Sequence, residues 1–265
     1  MYAFTYQKPK TVAEAAAALA ADGDAKVVSG GQTLIPTLKQ RLAAPSALVD
    51  LGSIEGLAGI TVAGDTVTIG AMTKHAAVAH SAEVQGAIPA LAALAEGIGD
   101  PQVRNRGTIG GSIANHDPAA DYPAGCLGLG ATIVTSKREL SADDFFTGMF
   151  STALEDDELV TAVRFPKPKR AAYAKFPNPA SRYAIVGVFV ADTASGIRVA
   201  VTGAGGGVFR ATELEAALTA KGFAAGSLDG VTVSSDGLNS DIHASAEYRA
   251  HLITVMAKRA VAAAG

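Results

Sequence analysis

The chain contains a single cysteine, Cys126, and no tryptophan in 265 residues. One thiol forms no intrachain disulfide and ligates no iron–sulfur cluster, which takes several thiolates. Basic clusters are missing as well. The formal net charge is −3 and the pI about 5.9, and no Lys/Arg run of the kind attracted to phosphate backbones or anionic lipids occurs. Nucleic acid is therefore not an expected partner. No stretch reaches 18 uninterrupted apolar residues, so no membrane span is expected. The opening MYAFTYQKPKTVAEAAAALAADGDAK has no basic segment leading directly into an apolar core, and Glu14, Asp22 and Asp24 interrupt it. It does not read as a signal peptide, and a cytoplasmic location is the expectation.

Missing motifs exclude further classes. There is no Gly-x4-Gly-Lys-Ser/Thr of a nucleoside triphosphatase and no Gly-x-Ser-x-Gly nucleophile elbow. His75, His80, His116, His243 and His251 show no zinc-ligand spacing. Gly203-Ala204-Gly205-Gly206-Gly207-Val208 begins like a dinucleotide fingerprint, but Val208 stands where the third glycine belongs. It reads as a glycine-rich turn after a strand.

What is present is an alternation of short elements with enough chain for two domains. Thr11-x-x-Glu14 is a capping box, which predicts a helix to about Ala21. Lys26–Ser29 reads as a buried strand, Thr33–Arg41 as a helix with Pro36 in its first turn, and Ala47–Leu51 as a second strand. This rhythm suggests a small parallel unit over about the first 55 residues. Ile60–Val62 and Thr66–Ile69 flank a Gly64-Asp65 turn and read as an antiparallel hairpin. Helices are expected over Thr73–Ala79, Ile88–Glu96 and Tyr122–Leu129, and strands over Ala131–Ser136 and Leu159–Phe165. Pro166-Lys167-Pro168-Lys169 is the expected linker, because its prolines cannot join a central strand. Beyond it come strands near 171–176, 183–191 and 197–202, then helices near 211–220 and 247–263. The fold class is α+β.

Two segments carry the chemistry. Val27-Val28-Ser29-Gly30-Gly31-Gln32-Thr33-Leu34 runs from a strand through a glycine pair into a helix start. Adjacent glycines let backbone N–H groups approach a diphosphate without interference from Cβ atoms, and a helix start adds partial positive charge. Taken alone, such a pair is also an ordinary tight turn. Thr108-Ile109-Gly110-Gly111-Ser112-Ile113-Ala114-Asn115-His116-Asp117-Pro118-Ala119-Ala120-Asp121 reads as a loop. It places a second glycine pair between two hydroxyls, followed by carboxylates at Asp117 and Asp121.

With VVSGGQTL at 27–34, TIGGSIANHDPAADYPA at 108–124, DDELVTAVRFP at 156–166 and AEYRAHL at 246–252, the chain resembles the FAD-binding medium subunits of the molybdenum hydroxylases. It is similar in particular to the medium chains of aerobic carbon monoxide dehydrogenases and to the flavin domain of xanthine dehydrogenases. The resemblance implies a PCMH-type FAD-binding domain over 1–166, with subdomains at about 1–57 and 58–166, and a smaller α+β flavoprotein domain over 167–265. It implies non-covalent FAD here, with the molybdenum cofactor in a large partner subunit and the iron–sulfur clusters in a small one. Electrons would then leave this chain's FAD for NAD, a quinone or another acceptor.

Residue by residue, the resemblance implies that Val27, Val28, Ser29, Gly30, Gly31, Gln32, Thr33 and Leu34 wrap the diphosphate and adenosine side. Thr108, Ile109, Gly110, Gly111 and Ser112 would form the other half of the cradle. It puts Ile98 near the flavin ring, Asp121 on a ribityl or ribose hydroxyl, and Leu159 against the adenine. Lys175 would stand close to the flavin edge and Tyr183 would lay its ring over the isoalloxazine. Each of these has a plainer reading: Ile98 and Leu159 as core, Lys175 as a solvated strand residue, Tyr183 as a buried aromatic. Two rival functions remain at this point: a stand-alone FAD-dependent oxidoreductase of the same superfamily, and an assembly subunit that has lost FAD.

Overall fold

The computed structural model describes residues 1–264. Among the described residues, three main sheets follow one another along the chain, with a small two-stranded one (residues 146–152) beside the second. The first block holds β1 (Thr5–Gln7), α1 (Val12–Ala21), β2 (Lys26–Val28), α2 (Leu34–Lys39) and β3 (Ala47–Asp50). Its strands lie in the order β1-β3-β2, all parallel. The Thr11 hydroxyl caps α1 by accepting the Glu14 N–H. Glu14 reaches back one residue further than a standard capping box, to the Lys10 N–H at 2.7 Å. Ala15 and Leu19, four apart, turn to one side and pack with Val49 of the sheet and Leu51 just beyond it. The parallel unit over the first 55 or so residues has a third strand that the sequence did not suggest, because Thr5–Gln7 pairs beside β3.

The second block opens with the expected hairpin, β4 (Ile60–Ala63) and β5 (Thr66–Gly70). Six helices follow: α3 (His75–His80), α4 (Ala82–Ala87), α5 (Pro89–Glu96), α6 (Pro101–Arg104), α7 (Ile109–Asn115) and α8 (Tyr122–Leu129). Then come β6 (Thr132–Thr135), β7 (Glu139–Ser141), α9 (Ala142–Phe145), the small hairpin β8 (Phe146–Gly148) and β9 (Ser151–Thr152), and β10 (Val160–Pro166). The sheet order is β4-β5-β10-β6-β7, with every pairing antiparallel. Alternate residues Val67 and Ile69, Val163 and Phe165, face the helices and form the main core. Every residue of α8 is buried.

The third block is β11 (Arg170–Pro177), β12 (Ala184–Thr193), β13 (Gly196–Thr202) and β14 (Phe209–Arg210), followed by α10 (Thr212–Lys221) and α11 (Ala246–Ala263). Its sheet runs in sequence order and is antiparallel. The centre strand β12 is buried on both faces. Val186, Val188 and Val190 join the core under α11, while Phe189 and Ala191 join the core of the second block. This sheet is thus clamped between its own helices and α8, which fixes the third block against the second.

The segment after Thr108, read from sequence as a loop, is helical. Thr108 caps α7 by accepting the Gly111 N–H, and Ile109 and Ile113 are both fully buried. Two glycines in a first turn disfavour a helix by roughly 1 kcal/mol each, so tertiary packing rather than propensity holds it.

Candidate functional site

A cleft of about 690 Å³ opens where the end of β2, the start of α7, the β8–β9 hairpin and the turn before Tyr183 converge. Among the described residues, the N–H groups of Gly30, Gly31, Gln32, Thr33 and Leu34 find no acceptor in the protein; the first bond from this segment is Ile35 N–H to the Gly31 carbonyl. Five successive donors without partners line the wall of an open cleft. Such an array matches what a diphosphate requires, since each bond to a charged acceptor contributes roughly 1.5–3 kcal/mol.

The opposing wall is made differently from the sequence expectation. The Ile109 and Gly110 N–H groups are already bonded, to the Thr73 and Ala71 carbonyls at 3.1 and 2.8 Å. The Gly111 N–H is taken by the Thr108 hydroxyl, leaving the second glycine pair no free backbone donors. Its contribution is a surface of hydroxyl and amide side chains, Thr108, Ser112 and Asn115, without a Cβ at Gly111. The Ser29 and Thr108 hydroxyls share a hydrogen bond at 2.6 Å and tie the two walls together.

Gly30 and Gly110 also serve packing rather than the cofactor's space. A Cβ on Gly30 would fall on the Arg106 carbonyl oxygen, and one on Gly110 would lie 2.5 Å from the Ala71 Cβ. Neither would enter the cleft. These two residues are glycine because backbones approach each other, and that approach brings the walls within bonding reach. Gly111 differs, for its Cβ would meet the Thr108 Oγ1 at 3.0 Å and the Ser29 Cβ at 3.5 Å, inside the cradle.

Of the residues singled out above, Val27, Ser29, Gly30, Gly31, Gln32, Thr33, Leu34, Ile98, Thr108, Gly111, Ser112, Asp121 and Tyr183 line the cleft. Val28, Ile109, Gly110, Leu159 and Lys175 do not. Val28 alternates to the other face of β2 and packs with Leu38 and Leu48. Ile109 is core and Gly110 abuts Ala71. Leu159 turns into the core of the first block, against Leu19 and Val49.

Lys175 sits behind the wall. Its Nζ donates to Asp121 and to the Gly97 carbonyl, each at 3.0 Å. The Tyr173 hydroxyl donates to the same carboxylate at 2.5 Å. Asp121 is buried, and burial raises its pKa above the usual carboxylate value against the opposing pull of Lys175 and Tyr173. Lys175 therefore orients Asp121 and the backbone beside Ile98 rather than standing in the cleft.

The structure also brings in residues that the sequence did not assign to the site. His75 lines the cleft, and burial with the nearby Arg104 charge pulls its pKa down to about 4. Its ring lies 5.3 Å from that of Tyr122, and His75 Nδ1 and the Tyr122 hydroxyl are both buried without a hydrogen-bond partner. Asp117, Phe150 and Glu158 line other parts of the wall. Burial works against ionisation of Glu158, but Arg138, the Thr135 hydroxyl and the Glu155 N–H hold its pKa down to about 2. Asn115 and Asp117 belong to the quoted motif and were within reach of sequence reading. His75 and Phe150 carried no local signal.

The residues fit a flavin dinucleotide. Free N–H donors face hydroxyls across the cradle, Ile98 and Tyr183 offer apolar surface for a flat ring, and unpartnered polar atoms lie beneath the floor.

Comparison with known proteins places this geometry. Residues 2–168 match the family described as FAD binding domain in molybdopterin dehydrogenase. Residues 171–264 match the CO dehydrogenase flavoprotein C-terminal domain. The chain is 36% identical to the nicotine 6-hydroxylase medium subunit of Paenarthrobacter nicotinovorans, across 99% of this chain and 98% of the relative. It is also 36% identical to the carbon monoxide dehydrogenase medium chain of Afipia carboxidovorans, across 97% and 95%. Among solved structures, carbon monoxide dehydrogenase of Hydrogenophaga pseudoflava, in a form lacking the Mo-pyranopterin moiety, superposes with a TM-score of 0.90 at 38% identity, covering 98% of this chain and 96% of that one.

Proposed function

This chain belongs to the family of FAD-binding medium subunits of molybdopterin dehydrogenases, and from that we propose that it carries electrons from an iron–sulfur partner, through FAD held in the cleft, to an external acceptor. FAD supplies a carrier that takes up and releases electrons singly or in pairs. The chain's own residues bind and orient it. The N–H groups of 30–34 hold the diphosphate, with Ser112 and Asn115 facing them. Asp121, fixed by Lys175 and Tyr173, accepts a hydroxyl of the ribityl or ribose unit. Ile98 and Tyr183 flank the ring system and keep water from it. No side chain here acts as a general acid or base on the organic substrate, whose oxidation belongs to a molybdenum-containing large subunit. The domain limits proposed are 1–166, divided near residue 57, and 167–265, and the location proposed is cytoplasmic.

The observation that carries this reading is the run of five unpartnered N–H groups opposite a hydroxyl-lined wall. The test is to express the chain alone and with its genomic neighbours, then follow flavin reduction by candidate substrates. Reduction is expected only when the partner subunits are present. Substrate-driven turnover by the isolated chain at the rate of the complex would favour a stand-alone flavoenzyme.

A further inference from the structure

The β8–β9 hairpin turns through Met149 and Phe150, and Phe150 is its odd member. Its φ is +51°, a left-handed conformation rare for a bulky side chain. The residue is 57% exposed, so core packing does not repay the strain. Yet Phe150 lines the cleft. Glycine would adopt the same backbone without penalty.

The strained turn is held in place by His116. The Phe150 N–H donates to the His116 carbonyl at 3.1 Å. The His116 ring bonds the adjoining carbonyl of Ser151 through Nδ1 at 2.9 Å, and its Nε2 accepts the Val208 N–H at 3.4 Å. Together these contacts fix the tautomer, with the proton on Nδ1. His116 is 1% exposed, packs on Phe146, and itself has φ +42°. It directly follows α7, the helix of the hydroxyl-lined wall. One side chain thus joins that helix, the hairpin, and the glycine-rich turn of the third block. Arg182, which also lines the cleft, has φ +62° beside the half-exposed Tyr183. Among the described residues, four non-glycine positions have positive φ; two of them line this cleft and a third, His116, clasps it. Backbone strain concentrated in this way marks a functional site.

We propose that Phe150 is a cofactor-contacting residue that closes over the bound dinucleotide opposite Tyr183, and that His116 is the positioning residue that holds it there. The proposal rests on the FAD reading of the cleft. It fits a flat aromatic ligand better than a protein surface, because Phe150 lines the same cleft as the free N–H donors.

The test uses the full chain stripped of FAD and titrated with FAD itself, with thermal unfolding of the FAD-free form measured in parallel. Phe150→Gly relieves the strain and removes the ring. Its FAD-free midpoint should equal or exceed that of the wild type, while FAD binds about tenfold more weakly. Phe150→Leu keeps the strain and loses the ring, and should show the same loss of affinity. This second variant decides the matter if the glycine variant does not fold. His116→Ala should reproduce the loss, and His116→Asn, which tolerates the left-handed conformation and keeps an N–H donor, should recover most of it. Wild-type affinity and flavin spectrum in both Phe150 variants would overturn the proposal. So would unchanged affinity together with failure to assemble with the iron–sulfur subunit, which would make Phe150 a partner contact. If wild-type chain binds no FAD at all, the reading of the cleft fails rather than the role of Phe150 within it.

Discussion

Gly110→Ala separates packing from cofactor contact. The added Cβ would stand 2.5 Å from the Ala71 Cβ and 2.8 Å from its carbonyl oxygen. Carbon atoms rest at about 3.5–4 Å, so α7 must withdraw from residue 71 by about 1 Å. Withdrawal breaks the bonds from the Gly110 N–H to the Ala71 carbonyl and from the Ile109 N–H to the Thr73 carbonyl. Two buried hydrogen bonds contribute ~1 kcal/mol each, and overpacking a tight core costs ~1–3 kcal/mol. Replacing a helical glycine by alanine returns up to ~1 kcal/mol. The net expectation is a destabilisation of ~2–4 kcal/mol, or a melting point lower by roughly 5–15 °C. Circular dichroism of the FAD-free chain reads this directly. Gly111→Ala is the matched control: its Cβ meets only the Thr108 hydroxyl and Ser29 at 3.0–3.5 Å, so stability should hold while FAD affinity falls. A Gly110→Ala chain with wild-type melting and no bound FAD would refute the reasoning, since it would mean that residue 110 faces the cofactor after all.

Lys175→Met should destabilise the chain by ~3–5 kcal/mol by leaving the buried Asp121 without its counter-charge; adding Asp121→Asn should restore much of the lost midpoint, and a double variant no better than the single would contradict the pairing. Acid should weaken the fold in two stages. The His75 contribution is complete above pH 6.5 and shrinks as pH falls toward about 4, because the unfolded chain takes up a proton that the folded chain refuses. That difference is worth ~3 kcal/mol. Glu158 contributes fully above pH 4.5 and is lost as pH falls through about 2. His75→Gln should flatten the urea-midpoint profile between pH 6.5 and 4 without altering it below; an unchanged slope would show that His75 is not held neutral.

Regular elements were legible wherever local pattern and tertiary demand agree. The Tyr122–Leu129 helix and the hairpin around Gly64-Asp65 fall where the sequence puts them, because Pro123 in the first turn and the left-handed Gly130 bound the helix and Gly64 makes the hairpin turn. Thr5–Gln7 was not legible as a strand, being three residues whose pairing lies with β3 more than forty positions away. The helix through Gly110-Gly111 was hidden because glycine reads locally as a turn, whereas here it answers the approach of Ala71. In the cleft, the first glycine segment could be read because a strand, a glycine pair and a helix start leave donors free by local geometry alone. Leu159 could not be placed by pattern, since it lies in the irregular segment just before β10, where adjacent residues part: Glu158 lines the cleft and Leu159 enters the core. Phe150 and His75 become visible only through backbone conformation and burial, which sequence does not carry.

The central claim is that this cleft holds one FAD, without a covalent bond. The chain is purified in its native complex, precipitated with acid, and the flavin in the supernatant is quantified against this chain. One FAD per chain in the supernatant is expected, falling sharply when the complex carries Gly111→Ala. Flavin that remains with the precipitate, or a complex that is fully active with no flavin on this chain, would contradict it.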